Sequence, residues 1–230
     1  MFRKILIGLL VLYHLLFFCS SASADWGATD LKSMATEAVA IVVARVEDVR
    51  LVGDANVAWA TVQSSLKNLR AGQKFTFLAQ KITSCDISYA VKGETVLLFL
   101  ENSRPLPTKW EDSEGLLFPK FEAEKAQHLG DLPFYFIAHE GRGRTSMVVY
   151  KQTLYLPAKR GISPETGKPC IHLHTMVLPE GTREYRLPVV PPDFEGSYAG
   201  RPGRRDEKFR YVRLKEIEQN IAKYCSEKRR

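Results

Sequence analysis

AVAIVVARVEDVRLVGDANVAWATVQSSLKNLRAGQKFTFLAQKITSCDISYAVKGETVLLFLE, residues 38–101, is the stretch whose reading decides the fold. It divides into four β-strands. Ala38 to Leu51 is apolar on both faces through Ala44 and then alternates around Arg45, Glu47 and Arg50, as a long strand buried first on two sides and then on one must. Val57 to Leu66 is the second strand, with Ala58, Ala60, Val62 and Leu66 on one face and Trp59, Thr61 and Gln63 on the other. Small residues on the inward face suit a narrow barrel. Arg70-Ala71-Gly72-Gln73 is a hairpin turn whose glycine is free to take positive φ. Lys74 to Ala79 follows with Phe75, Phe77 and Ala79 inward. A loop carries Cys85, Gly93 ends it, and Thr95 to Leu100 is a strand buried on both faces.

The order of a long bent strand, a strand ending in SLKNLRAGQ, a third strand, then SCD and VKGETVLLFLE resembles the netrin-like OB barrel of the tissue inhibitors of metalloproteinases and of many exported bacterial proteins. The resemblance implies a mainly β fold: a five-stranded OB-like (netrin/TIMP-like) barrel with insertions and a C-terminal α-helix. In the inhibitors an N-terminal cysteine chelates the protease zinc and is disulfide-bonded to the cysteine that Cys85 resembles. This chain departs there. Residues 1–24 read as a signal peptide, with Arg3 and Lys4 ahead of the apolar run Ile5 to Phe18 and Ala22-Ser23-Ala24 as the cleavage site. The run falls short of the roughly 20 residues that span a bilayer. A retained anchor is the alternative to cleavage. The mature chain then begins Asp25-Trp26-Gly27, exported to the periplasm or the medium, with no cysteine to chelate zinc.

Residues 25–157 are assigned to the barrel, with an insertion at about 102–144 opened by Pro105 and Pro107. Asp30 is placed to cap a short helix through Leu31 and Met34. Lys120 to Leu129 is helical and stops at Gly130. Phe134 to His139 is a short apolar strand, and Gly141-Arg142-Gly143-Arg144 turns into a strand, Thr145 to Leu156, that is expected to close the barrel. Residues 158–210 are a β/loop extension with a strand from Cys170 to Leu178, and residues 211–230 are a basic helix whose stripe of Leu214, Ile217, Ile221 and Tyr224 lies against the barrel.

The formal charge of +7 is uneven. Residues 201–230 hold 11 Lys or Arg against 5 Asp or Glu, a net +6. Arg204, Arg205 and Arg210, with Arg142 and Arg144 of the glycine turn, are the candidate contacts for an acidic partner, either an anionic surface polymer or an envelope or secreted protein. The export signal argues against nucleic acid, and no transmembrane span follows cleavage. Trp59 and Tyr89 make only a sparse stacking platform.

Strand alternation projects Cys170, His172, His174 and Met176 from one face. Thiolate, imidazole and thioether suit copper, and one cysteine with two histidines suits zinc, so this strand is the candidate metal site. Cys85, Cys170 and Cys225 in an oxidising compartment imply one disulfide and a leftover thiol. Three pairings are open, with the lean toward Cys170 and Cys225, which both lie outside the barrel core. No nucleophile elbow, zinc-protease helix or phosphate loop occurs. His128 and His139 stand alone, and Glu111, Asp112 and Glu114 cluster in one loop beside Trp110, away from the geometry of a carboxylate pair across a bond. The reading is a non-enzymatic exported binding protein. A copper- or zinc-binding protein is the alternative, and a protease inhibitor using a barrel-end loop is a third.

Overall fold

The computed structural model describes residues 29–80, 89–109, 116–139, 141–163, 166–173, 176–189 and 209–227. Residues 1–28, where the signal peptide and the start of the cleaved chain are expected, and Cys85 lie outside them. Strands β2 (Ala40–Val52), β3 (Ala55–Lys67), β4 (Lys74–Leu78), β5 (Thr95–Asn102) and β6 (Phe134–Ile137) form a closed barrel. The circuit runs β2-β3-β4-β6-β5 and returns to β2. All contacts around it are antiparallel except β4 with β6, which pair parallel with Thr76 opposite Phe134 and Phe77 opposite Tyr135. The closing strand is therefore Phe134–Ile137, from within the stretch read as an insertion, and not Thr145–Leu156.

The interior follows the period-two pattern of the sequence. Ala40, Val42, Ala44 and Val46 from β2 meet Ala58, Ala60 and Val62 from β3, Phe75 and Phe77 from β4, and Val96, Leu98 and Leu100 from β5. Small residues on β2 and β3 leave the space that the two phenylalanines fill. Leu66 departs from its expected face. β3 carries an extra residue against β2 between Val62 and Ser64 and again between Ser65 and Lys67, and these bulges turn Leu66 to the outside.

Both outer walls are covered. On one, helix α2 (Pro119–Leu129) lays Phe121 and Leu129 over Val57, Leu78 and Phe136. No side chain caps α2 from its own preceding residue. Asp54, in the β2–β3 turn, accepts from the Phe121 and Lys120 amides at 3.0 and 3.2 Å instead. The neighbouring Gly53 has φ +61°, and a Cβ there would lie 2.4 Å from the Lys120 carbonyl carbon, so only glycine fits.

On the other wall, Ile41, Val43, Leu97 and Phe99 pack against α1 (Leu31–Glu37), α3 (Leu214–Glu227) and one face of a second sheet. Asp30 caps α1 as expected, accepting from the Ser33 amide at 2.9 Å. The second sheet has the order β1-β11-β10-β9-β13-β12, with β8 also on β9. Its members are β1 (Thr29–Asp30), β8 (Val148–Tyr150), β9 (Thr153–Ile162), β10 (Pro169–Leu173), β11 (Met176–Val177), β12 (Tyr185–Leu187) and β13 (Phe209–Arg213). A further strand, β7 (Arg144–Ser146), joins β5 of the barrel.

Three expectations change here. The chain reverses at Lys151-Gln152, so the strand expected over Thr145–Leu156 is split and β9 continues to Ile162. The strand expected over Cys170–Leu178 is a pair, β10 and β11, with His174 and Thr175 between them outside the described residues. Residues 211–213 belong to strand β13, not to the terminal helix, whose stripe Leu214, Ile217 and Ile221 is buried as expected.

Candidate functional site

Strand β10 is antiparallel to β9, with Cys170 opposite Gly161 and His172 opposite Lys159. Cys170 and His172 share the face that points away from the barrel, and Ile171 and Leu173 point toward it. The Cys170 Sγ and His172 Nε2 atoms stand 3.0 Å apart. Gly161 makes this possible. A Cβ at that position would lie 2.6 Å from His172 Nε2, so the bare backbone of β9 provides the floor on which the imidazole rests. Burial pushes the Cys170 thiol up and the His172 imidazole down. Both shifts favour neutral forms, so the pair shares a hydrogen bond and not an ion pair.

The expected four-donor face is not assembled. Met176 lies opposite Leu173 and therefore on the other face of the sheet, fully buried in the core. The hairpin between β10 and β11 restarts the alternation, which a single strand would have continued. His174 lies outside the described residues. Among the described residues no group of three His, Cys, Asp or Glu is placed to hold a metal ion.

The disulfide expectation is corrected as well. Cys170 and Cys225 are both free thiols. Cys170 is on the outward face of the second sheet, and Cys225 is on α3, which packs on the opposite face. The sheet stands between them.

The candidate arginines also divide. Arg144 is 1% exposed, with Nη2 2.6 Å from Glu94 Oε2 and donating to Ser146 Oγ at 2.9 Å. The Tyr89 ring covers the same guanidinium at 4.0 Å. This is an internal ion pair, so Arg144 does not face an external anion. Arg142 is half-buried in the same turn. Gly143 follows it at close approach, where a Cβ would meet the Phe99 carbonyl oxygen at 2.8 Å. Arg210 donates to Glu184 Oε2 at 2.8 Å, and Arg160 Nη2 is 2.7 Å from the same oxygen. Burial pushes the Glu184 carboxyl up, but the Arg160 hydrogen bond and the two positive charges outweigh it and hold the carboxyl below its ordinary value. Arg204 and Arg205 lie outside the described residues.

The outward face holds two cations that the sequence reading passed over. Arg183 and Arg213 are exposed, and their guanidinium carbons stand 5.4 and 4.4 Å from the centre of the Tyr185 ring. Tyr185 is fixed by its hydroxyl, which donates to Glu216 Oε1 at 2.9 Å, and by Tyr155, whose ring centre is 5.7 Å away. Tyr155 in turn touches Tyr211, at 6.4 Å. Burial pushes the Tyr211 hydroxyl up to about 12, so it stays protonated. The result is a rigid tyrosine bed that carries two planar cations. The signal was present in Tyr211-Val212-Arg213, where a spacing of two puts Tyr211 and Arg213 on one face of a strand, and in Arg183-Glu184-Tyr185, which sets an arginine two residues ahead of the tyrosine that opens β12.

Elsewhere the aromatics are engaged internally. Trp59 carries Arg50 at 5.0 Å, and Tyr89 covers Arg144. His139 Nε2 is 3.1 Å from Glu37 Oε2, and His128 is 3.7 Å from Glu124. The acidic loop at Glu111, Asp112 and Glu114 lies outside the described residues. No described helix is long and apolar enough to cross a membrane. No protein-family model matches this chain, and no curated protein matches it.

Proposed function

We propose that this chain is an exported, non-enzymatic binding protein on an OB-type barrel of the netrin-like kind. It meets an acidic partner, an anionic surface polymer or an acidic envelope or secreted protein, through the outward face of its second sheet. The strand order β2-β3-β4-β6-β5 with its single parallel contact supports the OB assignment. The export signal supports the compartment.

The observation that carries the binding reading is the Arg183–Tyr185–Arg213 stack. Guanidinium groups held over an aromatic ring lose little further freedom on binding, and with one Arg213 donor engaged by Tyr155 the planar forks still present donors to a carboxylate, sulfate or phosphate. On the barrel, the exposed Arg50 over Trp59 is tied to Asp48 at 2.5 Å, and the described interior is filled by its own side chains. The test is co-sedimentation of the protein with envelope from its own source at low and raised salt. The wild type is expected to sediment at low salt and be released by raised salt. The double variant R183E/R213E is expected to stay in solution with an unchanged thermal midpoint. Equal sedimentation of both proteins would overturn the reading.

A further inference from the structure

The turn between β8 and β9 is built from residues that resist its shape. Lys151 and Gln152 hold φ +47° and +60°, where asparagine and glycine sit at little cost. Both side chains are exposed, so packing does not require them. Strain kept at such a turn points to a use for a side chain it carries. Lys151 is placed for one, with its Nζ 5.5 Å from the centre of the Tyr150 ring.

Tyr150 belongs to the same outward cluster as Tyr155, Tyr185 and Tyr211. The strands lie in the order β8, β9, β13, β12, with Val148 and Arg213 on either side of Tyr155 and Tyr185 opposite Tyr211. Tyr150 is therefore two strands from Arg213 and three from Tyr185, and Lys151 stands roughly 15 Å from the arginine stack. Three exposed cations, each over a tyrosine ring, thus run across one face. Glu216, the carboxylate beside the stack, is occupied by the Tyr185 hydroxyl at 2.9 Å and the Arg183 amide at 3.1 Å.

That spread selects the partner. A single carboxylate, sulfate or phosphate cannot reach both ends, so the ligand repeats its charge along a chain. A folded protein would need an apolar anchor near the centre of the contact. Among the described residues, the exposed aliphatic side chains of this sheet, Val149 and Ile162, alternate onto the opposite face with Leu154 and Leu156. The outward face offers tyrosine and guanidinium groups, which meet hydroxyls and carboxylates.

We propose that Lys151, Arg183 and Arg213 form one track for a linear acidic polysaccharide, a sugar chain with a carboxylate on successive residues, resting on the binding role of the Arg183–Tyr185–Arg213 stack proposed above.

The test measures the affinity of the chain from Asp25 onward for polygalacturonate and for poly-L-glutamate at one low salt concentration. Poly-L-glutamate carries its carboxylates closer together, so charge density alone would make it the tighter ligand. The wild type is expected to bind polygalacturonate about threefold or more tightly, through hydrogen bonds from the sugar hydroxyls. K151N/Q152G suits the turn and keeps the fold, and is expected to lose about threefold in affinity for polygalacturonate. R186N removes one exposed charge from the other face of β12 and is expected to bind as the wild type does. Poly-L-glutamate binding as tight as that of polygalacturonate would overturn the polysaccharide assignment in favour of an acidic protein. Wild-type affinity in K151N/Q152G, or an equal loss in R186N, would overturn the track and leave the arginine stack standing. Unchanged polygalacturonate binding by R183E/R213E would instead remove the stack on which the track rests.

Discussion

Arg144 and Glu94 form an ion pair inside the protein, with Nη2 2.6 Å from Oε2 and the arginine 1% exposed. The pair joins β7 to the residue that leads into β5. Ser146 completes it by donating to the same carboxylate oxygen at 2.9 Å. Removing one partner leaves the other charged and out of water. E94A is therefore expected to cost about 3 kcal/mol, measured as a shift of the urea midpoint. The double variant E94L/R144M, which removes both charges, is expected to recover most of that loss.

The β2–β3 turn serves α2 as its missing cap. D54A removes both acceptors of the Lys120 and Phe121 amides and is expected to lower stability by about 1 kcal/mol. G53A adds a Cβ that meets backbone at 2.4 Å on a φ of +61°, and is expected to cost more, about 3 kcal/mol. Urea denaturation of the two variants checks the order.

The Asp30 cap predicts a pH dependence. Burial pushes its carboxyl up, but the hydrogen bonds from the Ser33 amide and hydroxyl outweigh it, and the folded-state value lies below the ordinary one. The unfolded chain therefore binds the proton first as pH falls. The contribution is present in full above the ordinary aspartate range and is lost as pH drops through the lowered folded value. D30A is expected to be less stable than wild type by about 1 kcal/mol at pH 7. The gap between the two proteins narrows in acid, as read by urea midpoints across pH 7 to about 2.5.

Lys151 and Gln152 turn the β8–β9 hairpin at φ +47° and +60°. Neither residue is suited to that region, and Asn-Gly is. K151N/Q152G is expected to raise the thermal midpoint, through a stability gain of about 1 kcal/mol.

Those two residues also show why part of the fold was hidden in the sequence. The barrel strands were legible because each buries a face in a filled interior: β2 is apolar on both faces through Ala44 and alternates only beyond it, and β4 with the residue after it sets Phe75, Phe77 and Ala79 inward. The Lys151–Gln152 reversal carries no glycine, proline or asparagine, so it passed for the middle of a strand. Phe134–Ile137 closes the barrel with four residues whose two faces are both covered, and no period marks such a run. Leu66 was misplaced because bulges count residues that alternation does not. The site was legible only in its local pairs. Cys170 and His172 share a face by spacing alone. The loss of Met176 depended on a hairpin, and the burial of Arg144 depended on Glu94, 50 residues away.

The same separation changes the meaning of the basic C-terminal stretch. Residues 209–213 are an inner strand of the second sheet, and 214–227 are the helix packed beneath it. Of the basic residues in this stretch, Arg210, Arg213, Lys215 and Lys223 belong to these two elements, and the others lie outside the described residues.

The most direct measurement is the salt dependence of binding to a defined acidic polymer, heparin, for wild type and for R183E/R213E. Binding through the Tyr185 stack predicts that the affinity of the wild type falls steeply between about 50 and 300 mM salt. It also predicts that the double variant loses most of the affinity and about two units of the log–log slope. A slope and an affinity that are the same in both proteins would contradict the account.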